Sequence, residues 1–177
     1  MIPIGVGLRS VVCAVLLSAA ATLAQQAAYA QAGPVPPAIL AAKKIFVSNA
    51  GGDSGLFPSP FSGDPDRAYT QFYAVLKSAG QFELVADPAD ADLVLELQLI
   101  APNGPTNGSK VNGAADPLPM FRLVVYDRKT HYVLWTVTQL IDVALLQKSH
   151  DHNFDAAILV LMEKFQQLAG KPVTQGH

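Results

Sequence analysis

Between residues 93 and 99 the chain alternates strictly. Leu93, Leu95, Leu97 and Leu99 are separated by Val94, Glu96 and Gln98. Successive side chains of an extended strand point to opposite faces, so this segment predicts a strand with one buried face and one wetter face. β-branched and aromatic residues predict further strands over residues 43–49, 82–85, 121–126 and 132–143. The period then changes to that of a helix. Tyr69, Phe72, Tyr73 and Leu76 fall at i, i+3, i+4 and i+7. Asp64 or Asp66 can cap the start of this helix, and Gly80 suits its end, where φ turns positive. Phe154, Ile158, Leu161, Phe165 and Leu168 predict a second amphipathic helix ending near Gly170. Asp87-Pro88-Ala89-Asp90 reads as a single capped helical turn with proline in first position.

The connections are set by turn chemistry. Residues 31–42 contain Gly33-Pro34-Val35-Pro36-Pro37 and predict an extended leader outside the core. Residues 51–65, rich in Gly, Pro and Ser, predict a loop, and residues 101–119, with Asn-Gly pairs at 103, 107 and 112, predict a long mobile one. Asp127 can close a tight hairpin by accepting backbone N–H bonds, with His131 where glycine is often preferred. Residues 171–177 read as a frayed tail. The order is β-α-β-β-β-β-α. Two helices can cover only one face of a five-stranded sheet, so the expected fold is α/β (α+β), a two-layer sandwich with a mixed, mostly antiparallel sheet. Its core would hold Trp135, Val133 and Val137 with the leucines. The alternate positions Glu96, Gln98, Arg122, Tyr126, Thr136 and Thr138, joined by Leu134, would form the open face and a possible docking surface for a protein partner. A bulge near His131 would shift the phase of the second hairpin strand.

The first thirty residues change the picture. They carry one charge, Arg9, and an apolar run over residues 11–17, and they end in Ala28-Tyr29-Ala30. Small residues at −3 and −1 predict a signal peptide, residues 1–30, cleaved after Ala30. Cys13 follows Val12 and lies inside the apolar run, which argues against lipidation. The expectation is a periplasmic or secreted protein with no membrane span after cleavage. The whole chain has 177 residues, 50% hydrophobic and 15% charged, enough for one globular domain. A net charge of −2 argues against nucleic acid as a partner, and one Cys excludes an internal disulfide framework and a Cys-rich zinc site.

Phe82-Glu83-Leu84-Val85, Asp87-Pro88, Ala91-Asp92-Leu93-Val94-Leu95, Val125-Tyr126-Asp127-Arg128-Lys129-Thr130 and Val133-Leu134-Trp135 together resemble a group of small bacterial envelope modules. These are the TolB amino-terminal domain, the curli-secretion lipoprotein and related domains of unknown function. The similarity spans residues 43–169, and His131 stands where those modules usually carry glycine. The resemblance implies an envelope protein that works by contacts, and it carries over no catalytic residue.

Three motifs suggest chemistry. Gly52-Asp53-Ser54-Gly55 matches the nucleophile context of trypsin-like proteases, but every His follows Ser54, so the triad order fails. A small secreted serine hydrolase or esterase using Ser54, with His150 or His152 as base, is the alternative function; the Asp-x-x-His block of such esterases is missing. His150-Asp151-His152 with Asp155 has zinc-ligand types, against a plainer reading in which Asp151 or Asn153 caps the last helix. Gly51-Gly52 lacks the Lys-Ser/Thr of a phosphate loop, and no cofactor is expected. The expected function is therefore a non-enzymatic binding or assembly module of the cell envelope. Intact-mass analysis of protein from its host should find a chain beginning at Gln31; a diacylglyceryl adduct on Cys13 would refute the reading.

Overall fold

A computed structural model describes residues 33–102 and 118–173. The expected signal peptide with Cys13, most of the expected 101–119 loop and residues 174–177 lie outside the described residues. The chain divides into two units, Met1–Pro34 and Val35–His177, and the elements of the described residues belong to the second. They are α1 (Pro37–Ala41), β1 (Lys44–Gly52), α2 (Arg67–Ala79), β2 (Glu83–Leu84), β3 (Leu93–Ile100), β4 (Met120–Asp127), β5 (Val133–Leu140) and α3 (Gln147–Leu168). Short 3₁₀ turns fill Ser54–Leu56 and Pro88–Asp90. The second is the turn expected from Asp87-Pro88, with the Asp87 carboxylate accepting from Ala89 N–H.

The strands form one sheet in the order β2-β1-β3-β4-β5. β1 runs parallel to β2 and β3, while β3, β4 and β5 pair antiparallel. This is the two-layer α+β sandwich the pattern implies. The leucines of β3 are buried at 1% exposure or less, against Ile45 and Val47 of β1 and Phe121, Leu123 and Val125 of β4. Phe72 and Leu76 of α2 and Phe154, Ile158, Leu161 and Phe165 of α3 close the same core from one side. Gly80 ends α2 at φ 63°, as its position predicts. The parallel start of the sheet is pinned by Asp92, whose carboxylate accepts from Lys43 N–H and Lys44 N–H, each at 2.9 Å. Those two backbone bonds hold its carboxyl below the usual range.

Four expectations need correction. Residues 31–42 are not an extended tether throughout: Pro37–Ala41 makes a helical turn, because Ile39 and Ala42 share one side of it and both enter the core. The 51–65 segment is not loop throughout: β1 runs on to Gly52 and a 3₁₀ turn takes Ser54–Leu56, with Leu56 and Phe61 buried. β5 stops at Leu140 instead of continuing to residue 143, and Val143 is 65% exposed. α3 begins at Gln147, four residues before Asp151, so the His150–His152 stretch is helix and not a capping loop. Its first turn has no side-chain cap; Gln147 Nε2 instead donates to Pro58 O, and Asn153 Nδ2 donates to Asp142 O.

Leu97 sits mid-strand at 1% exposure. Leu97→Ala should cost about 2–5 kcal/mol of unfolding free energy in denaturant melts. A loss of only a few tenths would contradict its place in the core.

Candidate functional site

The site is built by the pleat of four strands. Where leucine side chains of β3 enter the core, the residues between them emerge on the opposite face, and the cross-strand registers extend this across the sheet. Four rows result. Phe46, Val94, Tyr126 and Val133 form the first, and Ser48, Glu96, Val124 and Thr136 the second. Gln98, Arg122 and Thr138 form the third, and Ile100, Met120 and Leu140 the fourth. A row apolar apart from the Tyr126 hydroxyl thus lies on one side, and a wholly apolar row on the other, of the two rows that carry the remaining polar groups. All six expected face residues, Glu96, Gln98, Arg122, Tyr126, Thr136 and Thr138, stand on this one face. Leu134 does not. A bulge between Val125/Trp135 and Tyr126/Val133 leaves it unpaired, and it packs against the core beside Trp135. Val133, expected in the core, is turned out by the same bulge and is 54% exposed.

The two charges of the face are held in place. Arg122 Nη2 donates to Gln98 Oε1 at 2.5 Å, directly across the β3–β4 ladder. Tyr126 hydroxyl donates to Glu96 Oε1 at 3.4 Å. Burial, then the charge and hydrogen bond of Glu96, raise the Tyr126 pKa above its ordinary value, against a smaller opposing effect of Arg122. The phenol is therefore a fixed donor at neutral pH. Arg122 Nε is buried with no partner among the described residues. Sequence reasoning missed Phe46, Ile100, Met120, Val124 and Leu140 here. The available signal was phase: each alternates with a core residue on its strand.

The residues considered for chemistry are not brought together. Ser54 opens a 3₁₀ turn whose preceding Asp53 carboxylate accepts from Gly55 N–H at 2.9 Å. No base is hydrogen-bonded to the Ser54 hydroxyl among the described residues. His150 Nδ1 instead accepts from Ala144 N–H at 3.3 Å, and its ring meets Phe61 edge-on. Among the described residues no group of three His, Cys, Asp or Glu is placed to hold a metal ion. Asp151 and Asp155 are engaged elsewhere: Arg67 of α2 reaches them at 2.5 and 2.7 Å. The same guanidinium donates to Ser62 O at 2.9 Å and lies 4.3 Å over the Phe154 ring. Asp151 also accepts from Ser62 N–H at 2.9 Å. This cluster joins the 53–66 loop to both long helices. Trp135, Gly51 and Gly52 take structural places, the tryptophan against the core and the glycines at the end of β1.

No family model matches the chain, and no curated protein matches it. Several solved structures do. The PelC dodecamer from Paraburkholderia phytofirmans is 15% identical, with a TM-score of 0.42, over 77% of this chain and 94% of that one. A Xanthomonas campestris protein carrying the family model DUF330 is 13% identical, with a TM-score of 0.43, over 70% and 81%. TolB from Acinetobacter baumannii is 15% identical, with a TM-score of 0.39, over 74% of this chain but 29% of TolB. The fold itself defines a two-layer α/β module that leaves one sheet face uncovered among the described residues. No described helix is long and apolar enough to cross a membrane.

Burial pushes the Asp151 carboxyl up, but the bonds from Arg67 and Ser62 outweigh it and leave its pKa below the ordinary value. A carboxylate depressed in the folded state adds stability above its unfolded pKa, about 3.9, and loses it as pH falls through the folded value. Asp151→Asn should therefore melt earlier than wild type at pH 6, and the gap should close below about pH 4. A gap independent of pH in urea melts would remove Asp151 from this role.

Proposed function

We propose that the protein is exported and acts in the cell envelope as a non-enzymatic binding or assembly module, docking a protein partner on the open face of its sheet. The observation that carries this reading is the row pattern of that face. Polar groups tied by two side-chain hydrogen bonds are flanked by Phe46, Val94, the ring of Tyr126 and Val133 on one side and by Ile100, Met120 and Leu140 on the other. One acid and one base leave it close to neutral. An interface of the non-obligate kind has this composition, with apolar area little above that of ordinary surface. Side chains fixed before contact also lose less entropy on binding. The leader ending at Ala30 supports a periplasmic or secreted location. The rival reading, a Ser54 hydrolase, needs a nucleophile, base and oxyanion donors in reach of one another, and Ser54 has no base bonded to it among the described residues.

A photo-crosslinking residue at Phe46 or at Gln98, expressed in the native host, should join the protein to another envelope protein. The same group at Leu159, exposed on α3, should not. Adducts from Leu159 alone would overturn the assignment of the face. Turnover of acyl esters that vanishes in Ser54→Ala would overturn the non-enzymatic reading.

A further inference from the structure

β5 is the outermost strand at one end of the sheet, eight residues long, whereas the strand at the opposite end, β2, has two. Its sequence, Val133 to Leu140, contains no charged residue and no proline. Long edges are ordinarily protected by such residues, because their free N–H and C=O groups template further pairing. The direction of those groups follows from the ladder. Ile141 N–H donates inward to Pro119 O. Main-chain bonds of an antiparallel strand alternate in side, so Gln139 and Val137 also bond inward, and Thr136, Thr138 and Leu140 present theirs outward. Consistent with this, Thr138 O accepts from the Lys164 Nζ of α3 at 3.1 Å.

The apolar exposure along this edge is divided between its ends. Tyr132 and Val133 are 74% and 54% exposed at the start, and Leu140 and Val143 are 51% and 65% exposed at the finish. Of the ways two copies of β5 can pair, the antiparallel one brings the first pair beside the second. We propose that β5 pairs antiparallel with β5 of a second copy of this chain, about a two-fold axis at Val137. In that register Thr136 faces Thr138 of the second copy, and two outward-pointing residues exchange both N–H···O bonds. Trp135 faces Gln139 of the second copy, and Val137 meets its own counterpart on the axis. No like charges meet, because the strand has none. From Trp135 to Gln139 every residue keeps its side: Thr136 and Thr138 lie over the open face, and Val137 and Trp135 lie over the helices. On the helix side, Val160 is 37% exposed one turn before Lys164, so α3 also turns an apolar group toward the seam. Lys164 yields Thr138 O to Thr136 of the second copy. The product is an isologous dimer with one continuous ten-stranded sheet, and the open faces of the two copies become a single surface.

Sedimentation velocity on the protein as its host processes it should show a dimer across the micromolar range. Thr138→Pro removes one outward N–H and leaves the β4 ladder intact. The double variant Thr136→Lys/Thr138→Lys sets two lysines of each copy against two of the other. Both should weaken the dimer about ten-fold or more while circular dichroism stays unchanged. Amide exchange at Thr136, Thr138 and Leu140 in wild type should slow as concentration rises. A wild type that stays monomeric, or a dimer in which these amides exchange freely and the lysine pair changes nothing, would overturn the proposal.

Discussion

A five-stranded sheet has two faces, and the described residues cover only one of them. Most of the molecule follows from that asymmetry. One side of β3 is leucine, matching the apolar side chains that α2 and α3 bring to the core. The other side is free to carry Glu96 and Gln98, and β4 answers with Tyr126 and Arg122 in hydrogen-bonding register. The same asymmetry explains why the uncovered face is not simply polar. A side chain between two neighbouring strands is partly buried by the pleat even without a second layer, so Val124 is only 8% exposed there. The face is thus stiff and half-desolvated before anything touches it, which favours binding through pre-organised contacts.

The covered side depends on a cation. Arg67 is only 14% exposed, and taking a guanidinium out of water is costly unless its donors are met. Here they reach Ser62, Asp151 and Asp155, and the flat face of the group lies over Phe154. Phe154 in turn touches Phe61 and Phe121 at ring separations of 5.1 and 4.9 Å. Loop, sheet and both helices therefore meet at one ring. This ties down a segment whose composition alone looks like solvent-facing loop, and it fixes the first turns of α3, which lack a cap of their own.

What was legible in the sequence was whatever repeats within one element. The leucine alternation, the helix phases, the Asp127 turn and the positive φ of His131, 59°, could all be read from neighbours a few residues away. What was not legible depends on partners far along the chain. Ile39 and Phe61 lie in proline-rich segments without a helix or strand period, and only the assembled core shows that they are buried. α3 starts early because Asp151 and Asp155, one helical turn apart, both meet an arginine more than eighty positions before them. The polar half of the open face was readable from alternation. Its apolar half stood in the same alternation, but alternation assigns a residue to a face and does not say how many layers cover that face.

The bulge in β5 shows how little separates the two outcomes. The hairpin turn, with Asp127 accepting from Thr130 and Lys129 and with His131 in the left-handed region, delivers the chain to β5 one residue out of step with β4. Carried along the strand, that step would send Thr136 and Thr138 into the core and Trp135 and Val137 into water, because a slip of one residue exchanges the two faces. Leu134 absorbs it as the single unpaired residue, and the register beyond it, from Trp135 to Leu140, is regular. The cost is local: Val133 is turned out onto the open face, where it extends the apolar row begun by Phe46. The irregularity that preserves the core is thus also what lengthens the apolar border of the face and places an exposed valine at the start of the edge strand.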